Sequence, residues 1–300
     1  MASGTPLRIE TITQLHRLLE FPAPQHPLIS IVDYAQVKEV PGVSAVFDFY
    51  SISLKRGVNK LVYGQQKYDF DEGVLYFLSP NKVLSVEGDA NPNRSGRILF
   101  VHPDFLWNSP LAKAIKEYEF FNYSVKEALF LSEKEEAIIN GIIQYIEEEY
   151  KTSIDRFSQE VIIAQLELLL TYSKRFYERQ FITRKITNHT ILSRLEEILE
   201  TYFNDERRLS RGIPSVQYVA ENLNISTKYL SSLLKQLTGQ TTQQHIQNKL
   251  IEKAKVKLST TGLSVSEIAY QMGFEHSQSF NKLFKIKTKL SPLEFRRSFT

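Results

Sequence analysis

The strongest constraint on the fold of this chain is a pattern that occurs twice near its C-terminus. The first copy spans 215–237 and the second spans 264–285, with an offset of 49 residues before a central turn and 50 after it. Apolar residues recur at helical spacing, as at Val219, Ala220 and Leu223, and a second apolar row follows each turn. Each copy therefore predicts two short helices joined by a tight turn, which is the helix-turn-helix arrangement.

Local signals at the helix ends support this prediction. The two turns hold Asn224 and Gly273, residue types that readily adopt a left-handed backbone. Residues that cap helices precede the predicted helices at Ser226, at Ser264 with Glu267, at Thr241 with Gln244 and at Ser291 with Glu294. Periodicity and capping chemistry thus point to the same helices.

The segment 190–300 resembles the DNA-binding domain of AraC/XylS-type transcription regulators. The phrases that carry the resemblance are SVQYVAENLNISTKYLSSLLKQLTG, SEIAYQMGF, SFNKLFK and LSPLEFRR. It implies that one long helix, here about 242–258, connects the two copies. Such a helix would be roughly 25 Å long, so that two recognition helices enter successive major grooves about 34 Å apart.

The expected DNA-binding side chains lie opposite the apolar rows of the two recognition helices. They are Thr227, Lys228, Ser231, Ser232 and Lys235 in the first, and Ser277, Gln278, Asn281, Lys282 and Lys285 in the second. Asn and Gln can bond adenine edges bidentately, and Lys can reach guanine or a phosphate. The resemblance maps the family's base contacts onto Lys228, Ser231 and Ser232 in the first helix and onto Gln278, Asn281 and Lys282 in the second. For any single member, an ordinary solvated helix face is the alternative.

Two positions depart from the family pattern. Ser232 stands where an arginine is common, so one strong guanine contact is expected to be missing. Lys289 stands where a glycine usually follows the second recognition helix, opposite Gly239 in the first copy. This difference predicts a C-terminal turn that is built differently.

Charge is distributed unevenly along the chain. Residues 190–300 hold 16 Lys and Arg against 10 Asp and Glu, whereas 1–130 hold 13 against 14 and 131–189 hold 8 against 10. Positive charge is therefore concentrated where DNA is expected to bind, as release of counterions from phosphates requires.

The N-terminal part shows short apolar or alternating runs separated by turn residues. The predicted strands are Val46–Leu54, Lys60–Tyr63, Gly73–Leu78, Lys82–Val86 and Arg97–Val101. Such strands indicate a sandwich or small barrel, and the resemblance implies a cupin-like β-barrel that binds an effector. The strand aromatics Phe47, Phe49, Tyr63, Tyr76 and Phe100 either line a pocket or fill the core, and no effector-binding residue is identified.

Two amphipathic helices are predicted next, over Ser132–Tyr150 and Phe157–Phe176. The first has a stripe at Ile138, Ile139, Ile142, Ile143, Ile146 and Tyr150. The second has a row at Ile162, Leu166, Leu169, Ser173 and Phe176 beside a row at Ile163, Leu170 and Tyr177. Either one row packs on the barrel while the other joins a homodimer, or both rows are core.

These features predict an α+β chain with two domains. A cupin-like sensor and dimerisation domain spans 1–181, with its helical part at about 131–181, and a polar linker spans 182–189. The all-α DNA-binding domain with two helix-turn-helix units spans 190–300. The expected partners are double-stranded promoter DNA, a small-molecule effector, a second copy and RNA polymerase. The effector, the operator and the choice between activation and repression are left open.

Enzyme functions are disfavoured by composition. The chain has no cysteine, which excludes disulfides, thiolate metal sites and the DNA-repair methyl acceptors that carry a similar module. Its six histidines are scattered, without the ligand set of a metal-dependent cupin enzyme, so no catalytic, metal or cofactor site is expected. The N-terminus lacks a signal-peptide pattern and no run resembles a membrane span, which predicts a cytoplasmic protein. The alternatives are a ligand-independent regulator whose barrel only dimerises, and a cupin-type enzyme.

Overall fold

The computed structural model describes residues 6–37, 44–58, 73–85, 94–152, 156–183, 185–209 and 212–298. The chain divides into two compact units, Met1–Arg184 and Lys185–Thr300. In the described part, no helix is both long and apolar enough to span a membrane.

The described residues of the N-terminal unit form two sheets and four α-helices, beside short 3-10 turns. The strands are β1 Leu7–Ile9, β2 Ile29–Asp33, β3 Ser44–Phe47, β4 Tyr50–Arg56, β5 Val74–Leu78, β6 Val83–Ser85, β7 Ser95–Val101 and β8 Leu129–Phe130. The helices are α1 Ile12–Leu18, α2 Leu111–Ala114, α3 Glu133–Lys151 and α4 Arg156–Thr183. One sheet has the order β1-β3-β6 and the other β2-β7-β4-β5-β8, with β1 and β3 the parallel pair. The described strands show two sheets but no closed barrel.

The five-stranded sheet is buried on both faces. Its inner face shares a core with the smaller sheet, where Phe49 stacks on Phe47 at 5.1 Å and meets Phe100 edge-on at 5.6 Å. On its outer face, Phe77 packs against Phe120 at 4.3 Å and against Tyr177 of α4 at 6.4 Å. This double burial explains why β5 is an unbroken apolar run. The predicted aromatics Phe47, Phe49, Tyr76 and Phe100 are core residues, and Tyr63 lies outside the described residues.

The strand predictions need one correction. The run Val46–Leu54 is two strands, because the chain leaves the small sheet at Asp48 and enters the large one at Tyr50. The Asp48 amide bonds the carbonyl of Ile9 and its carboxylate pairs with Arg8, both on or beside β1. Alternation within one segment could not reveal this partner. The strands β5, β6 and β7 match their predictions, and Lys60–Tyr63 lies outside the described residues.

Helix α3 begins as predicted, at a capping box formed by Ser132 and Glu135. The predicted stripe is buried except for Ile138, which is 39% exposed and does not belong to the buried side of the helix. Helix α4 continues seven residues beyond the predicted end at Phe176 because polar side chains in its last turns bond strand β8. The Phe130 amide donates to Gln180 at 2.8 Å, and the Arg179 guanidinium donates to the Phe130 carbonyl at 2.7 Å.

Both predicted rows of α4 are core. Every member of the two rows is buried within a single chain, including Leu166 and Leu169 at 2% and 0% exposure. The interpretation in which one of these rows meets a partner is therefore wrong. A third row on the same helix is exposed instead, at Phe157, Val161, Ala164 and Leu168.

The C-terminal unit is all α-helical. Its helices are α5 Lys185–Asn204, α6 Glu206–Leu209, α7 Val216–Leu223, α8 Thr227–Thr238, α9 Thr242–Thr260, α10 Val265–Gln271, α11 Ser277–Thr288 and α12 Pro292–Arg297. The segment predicted as a linker, 182–189, is helical at 182–183 and at 185–189, and the boundary between the units falls within it. A single hydrophobic cluster contains Ala220 and Leu230 of the first copy and Ala269 and Phe280 of the second. The two copies are thus parts of one packed body.

Candidate nucleic-acid interface

The two copies form helix-turn-helix units with matching backbone details. In the first, α7 ends at Asn224 in the left-handed region (φ 55°, ψ 39°), and the Ser226 hydroxyl accepts from the Tyr229 amide to begin α8. In the second, Ser264 and Glu267 form the capping box that begins α10, and Gly273 has φ 83°. The predicted turns and caps are confirmed. They could be predicted from the sequence because each depends on residues within a few positions of each other.

The apolar sides of the recognition helices α8 and α11 face the core. Leu230, Leu233, Leu234, Phe280 and Phe284 are buried, and Leu283 is partly buried. The opposite side carries most of the predicted DNA-binding residues. The exposed ones are Lys228, Lys235, Gln278, Asn281, Lys282 and Lys285.

Four predicted site residues are only half-exposed: Thr227, Ser231, Ser232 and Ser277. The Ser231 hydroxyl lies 3.4 Å from that of Thr242, the buried first residue of α9. Three of these four belong to α8, so α8 presents fewer accessible side chains than α11. Sequence reasoning missed this coverage because Thr242 belongs to a different helix.

Tyr229 of α8 was not identified as a core residue. It is 4% exposed, whereas the equivalent Ser279 of α11 is exposed. Its spacing of four residues from buried Leu233 is the signal that could have placed it on the covered side. The flanks of the two recognition helices therefore differ although their backbones match.

Part of the positive charge in this unit is neutralised within the protein. Lys253 and Lys249 of α9 both contact the carboxylate of Glu200 on α5, and their hydrogen bonds lower the pKa of Glu200 to about 2. Lys287 is also engaged, since its ammonium donates to the Asn248 side chain at 2.9 Å. The lysines of the exposed recognition faces are thus the main candidates for contacting phosphates.

Two histidines lie at the ends of the recognition helices. Among the residues that the structure describes, no group of three or more His, Asp or Glu side chains is placed to hold a metal ion. His276 is the exposed N-cap of α11 and makes no capping hydrogen bond with its side chain. His245 of α9 is half-buried and bonds the Thr238 hydroxyl at the end of α8 at 2.9 Å, and burial lowers its pKa.

Comparisons with known proteins agree with this geometry. A family model described as a helix-turn-helix domain matches residues 219–298. An uncharacterised HTH-type transcriptional regulator from Pseudoalteromonas carrageenovora is 33% identical over 116 residues, which are 39% of this chain and 64% of that protein. The HTH-type transcriptional activator RhaS of Escherichia coli is 32% identical over 141 residues, which are 47% of this chain and 46% of that protein. The C-terminal unit is an AraC-type helix-turn-helix domain.

One solved structure illustrates the extent of the match. The C-terminal domain of the response regulator yesN from Fusobacterium nucleatum is 32% identical, with a TM-score of 0.31, and the alignment covers 35% of this chain and 95% of that domain. This chain spans about half to two thirds of the length of the curated relatives it matches.

The AraC-type domain departs from our expectation at Lys289. This residue has φ 67° and ψ −2°, nearly the same as Gly239 at φ 70° and ψ 3°. In both turns the amide of this residue bonds the carbonyl four residues earlier, on Lys285 or Lys235. The predicted difference in the turn is therefore wrong, and a lysine instead adopts a conformation that is strained for residues with a side chain.

We expect Lys289→Gly to stabilise the AraC-type domain by roughly 0.5–1 kcal/mol, because relief of left-handed strain exceeds the added entropy of the unfolded chain. The reverse change, Gly239→Lys, is the matched control and should destabilise by a similar amount. A Cβ at Gly239 would meet no atom within 4 Å, so that its cost comes from the backbone alone. Urea denaturation measures both changes, and a less stable Lys289→Gly variant would contradict the strain argument.

Proposed function

We propose that this protein is a transcription regulator that binds promoter DNA through α8 and α11. The observation that carries the proposal is that two recognition helices, packed in one core, present Lys, Gln and Asn side chains opposite their buried faces. Phosphate contacts would position the domain and base-edge contacts would select the sequence. The ten residues of the two recognition helices named from the sequence are the proposed contact set.

The length of α9 supports binding to two successive major grooves. This helix has 19 residues and lies between α8 and α10 in the chain. It is therefore about 28 Å long, close to the roughly 34 Å repeat of the duplex. One face of the DNA would then receive both recognition helices.

Unequal exposure supports an unequal division of work between the helices. Gln278 and Asn281 of α11 are exposed and can form two bonds to a base edge, whereas Ser231 and Ser232 of α8 are short and partly buried. We therefore expect α11 to contribute more to sequence selection. Lys235 of α8 is expected to contact a phosphate.

We expect Asn281→Ala to cost about 1–3 kcal/mol on the selected operator and to relax preference at one or two base pairs, because one bidentate base contact is lost. Lys235→Ala should weaken all sequences similarly and lower the salt slope by about one unit, because one phosphate contact is lost. The operator is first selected from random DNA, and binding is then measured on a panel of single-base variants at fixed salt.

The two variants serve as each other's control. If Asn281→Ala weakens every operator variant by the same factor, Asn281 anchors a phosphate or supports folding and the proposed base contact is wrong. If the wild-type protein selects no sequence from random DNA, the proposal of sequence-specific regulation fails as a whole.

For the N-terminal unit we propose a cupin-like domain that senses a small molecule. Mostly antiparallel strands, arranged in two sheets that share a core, support this proposal. A second candidate, in which the unit only dimerises, is favoured by the aromatic packing of Phe47, Phe49 and Phe100 between the sheets. A small molecule that raises the melting temperature of the whole protein would favour sensing, because a ligand that binds the folded state stabilises it.

The exposed row of α4 supports a homodimer. Its members, Phe157, Val161, Ala164 and Leu168, follow each other at intervals of four, three and four residues, which is the spacing of a helix–helix seam. Val161 and Leu168 are each 44% exposed in a single chain. A two-fold axis along this row would bring the same apolar side chains of two copies together.

The remaining partners follow from the proposed role. Both curated relatives described above are named as transcription regulators rather than enzymes. A regulator bound at a bacterial promoter acts in the cytoplasm, where the chromosome lies, and RNA polymerase is the partner whose recruitment or exclusion it would change.

A further inference from the structure

We infer that Gly273 positions the second recognition helix by seating its turn against the backbone of Gly212 and Ile213, which precede the first helix-turn-helix unit. We call this pair of backbone residues the strut. The inference rests on the proposed DNA-binding function and assigns a positioning role to a residue that does not face DNA.

The contact between the strut and Gly273 leaves no room for a side chain. A Cβ added at Gly273 would lie 2.8 Å from the carbonyl carbon of Gly212 and 3.1 Å from the amide nitrogen of Ile213. Both neighbours are backbone atoms, so a rotamer change cannot relieve the overlap. At Gly212, by contrast, an added Cβ would come no closer than 3.9 Å to Gly273. The steric requirement for glycine therefore lies at Gly273.

Hydrogen bonds and ring packing hold the strut against the first helix-turn-helix unit. The Tyr202 hydroxyl of α5 donates to the Gly212 carbonyl at 2.9 Å and is 3.3 Å from the Arg208 carbonyl. Arg208 donates to the Tyr218 hydroxyl of α7 at 2.8 Å, and the Tyr218 ring packs edge-on against Tyr202 at 5.0 Å. The strut is thus fixed to the helices α5 and α7.

On the other side of the contact, the turn is coupled to the second recognition helix. The amide of Phe274 bonds the Ala269 carbonyl of α10 at 3.1 Å, and its ring packs edge-on against Phe280 of α11 at 5.5 Å. Phe280 is completely buried. A displacement of the turn therefore moves the side chain against which α11 packs.

The first copy provides an internal comparison. Asn224 and Gly273 donate equivalent amide bonds, to Glu221 and Tyr270, both at 3.0 Å. Asn224 is left-handed and exposed, so the same turn tolerates a side chain where no strut covers it. Left-handed geometry alone therefore does not require glycine at position 273, since asparagine also adopts it readily.

The test replaces Gly273 with the residue that the first copy uses. Gly273→Asn retains a residue that tolerates the left-handed backbone but introduces the Cβ that meets the strut. Gly239→Asn is the matched control, because Gly239 is also left-handed (φ 70°) and has open space around it. Both full-length variants are compared with the wild type on the selected operator and on operators scrambled in either half-site.

We expect Gly273→Asn to lose about tenfold or more of its preference for the half-site read by α11, on the scale of one bidentate base contact, while it keeps its preference at the other half-site. Gly239→Asn should keep both preferences. Uniform weakening at both half-sites, or unchanged preferences in folded Gly273→Asn, would overturn the inference.

A second variant covers the case in which Gly273→Asn does not fold. Tyr202→Phe keeps the ring but removes the hydroxyl that holds the Gly212 carbonyl, and it should reduce the same half-site preference in the same direction. An unchanged preference in Tyr202→Phe would overturn the inference in that case. Failure of the wild type to distinguish either half-site would instead refute the proposed function on which the inference rests.

Discussion

We expect the fragment 185–300 to bind double-stranded DNA by itself and to lose about 100-fold in affinity between about 50 and 200 mM salt, because four neutralised phosphates give a slope of roughly −3.6 in log K against log salt. The four contacts come from the exposed lysines of the recognition helices, Lys228, Lys235, Lys282 and Lys285. The fragment contains its own hydrophobic cluster, built from all parts of the unit, which supports independent folding.

Fluorescence anisotropy over a salt series measures this slope. Replacing the four exposed lysines with Gln should bring the slope close to zero. Replacing Lys249 and Lys253 with Gln is the control for charge away from the recognition helices, because both already pair with Glu200 and their loss should change the slope little. A fragment that is folded but binds no DNA at low salt would sink the proposal, and an equal loss of slope in both variants would show that charge acts without regard to position.

The second large effect concerns α4. We expect Leu166→Glu and Leu169→Glu to destabilise the N-terminal unit by more than about 4 kcal/mol each, because a carboxylate would be buried without a partner. Both leucines are almost completely buried in a single chain. The double variant Val161→Glu with Leu168→Glu should remain folded and become monomeric, because it places charge in the exposed row.

Circular dichroism melts and light scattering separate these outcomes. A double variant that combines Leu166→Glu with Leu169→Glu adds the same number of carboxylates to the same helix as the Val161 and Leu168 double variant, so each controls for the other's charge. Wild-type protein that is monomeric at micromolar concentration, or a Val161 and Leu168 variant that stays dimeric, would refute the proposed homodimer through this row. A folded Leu166 and Leu169 variant would contradict the assignment of these rows to the core.

Local interactions account for what could be predicted in the C-terminal unit. Asn224, Ser226 and the capping box of Ser264 with Glu267 act within four residues of themselves, and the structure has each of them as expected. The wrong prediction at Lys289 also concerns a local helix end. A family preference for glycine suggested a different turn, but the helix end imposes its conformation on a lysine.

Predictions in the N-terminal unit failed where partners come from other parts of the chain. The break at Asp48 depends on β1, the extension of α4 depends on its bonds to β8, and the exposure of Ile138 depends on which side of α3 meets the rest of the unit. Hydrophobic periodicity describes only the segment in which it occurs. It cannot distinguish an apolar row that is covered from one that is open.

The sequence by itself determined that this chain contains two capped helix-turn-helix units and which residues could face DNA, because spacing and capping act over a single turn of helix. Only the tertiary structure decided which of those residues are accessible, which lysines are already paired and which row of α4 is open to a partner. The same holds for the contact between Gly212 and Gly273. Each of these depends on how elements distant in the chain pack, and packing brings together atoms whose proximity no local pattern encodes.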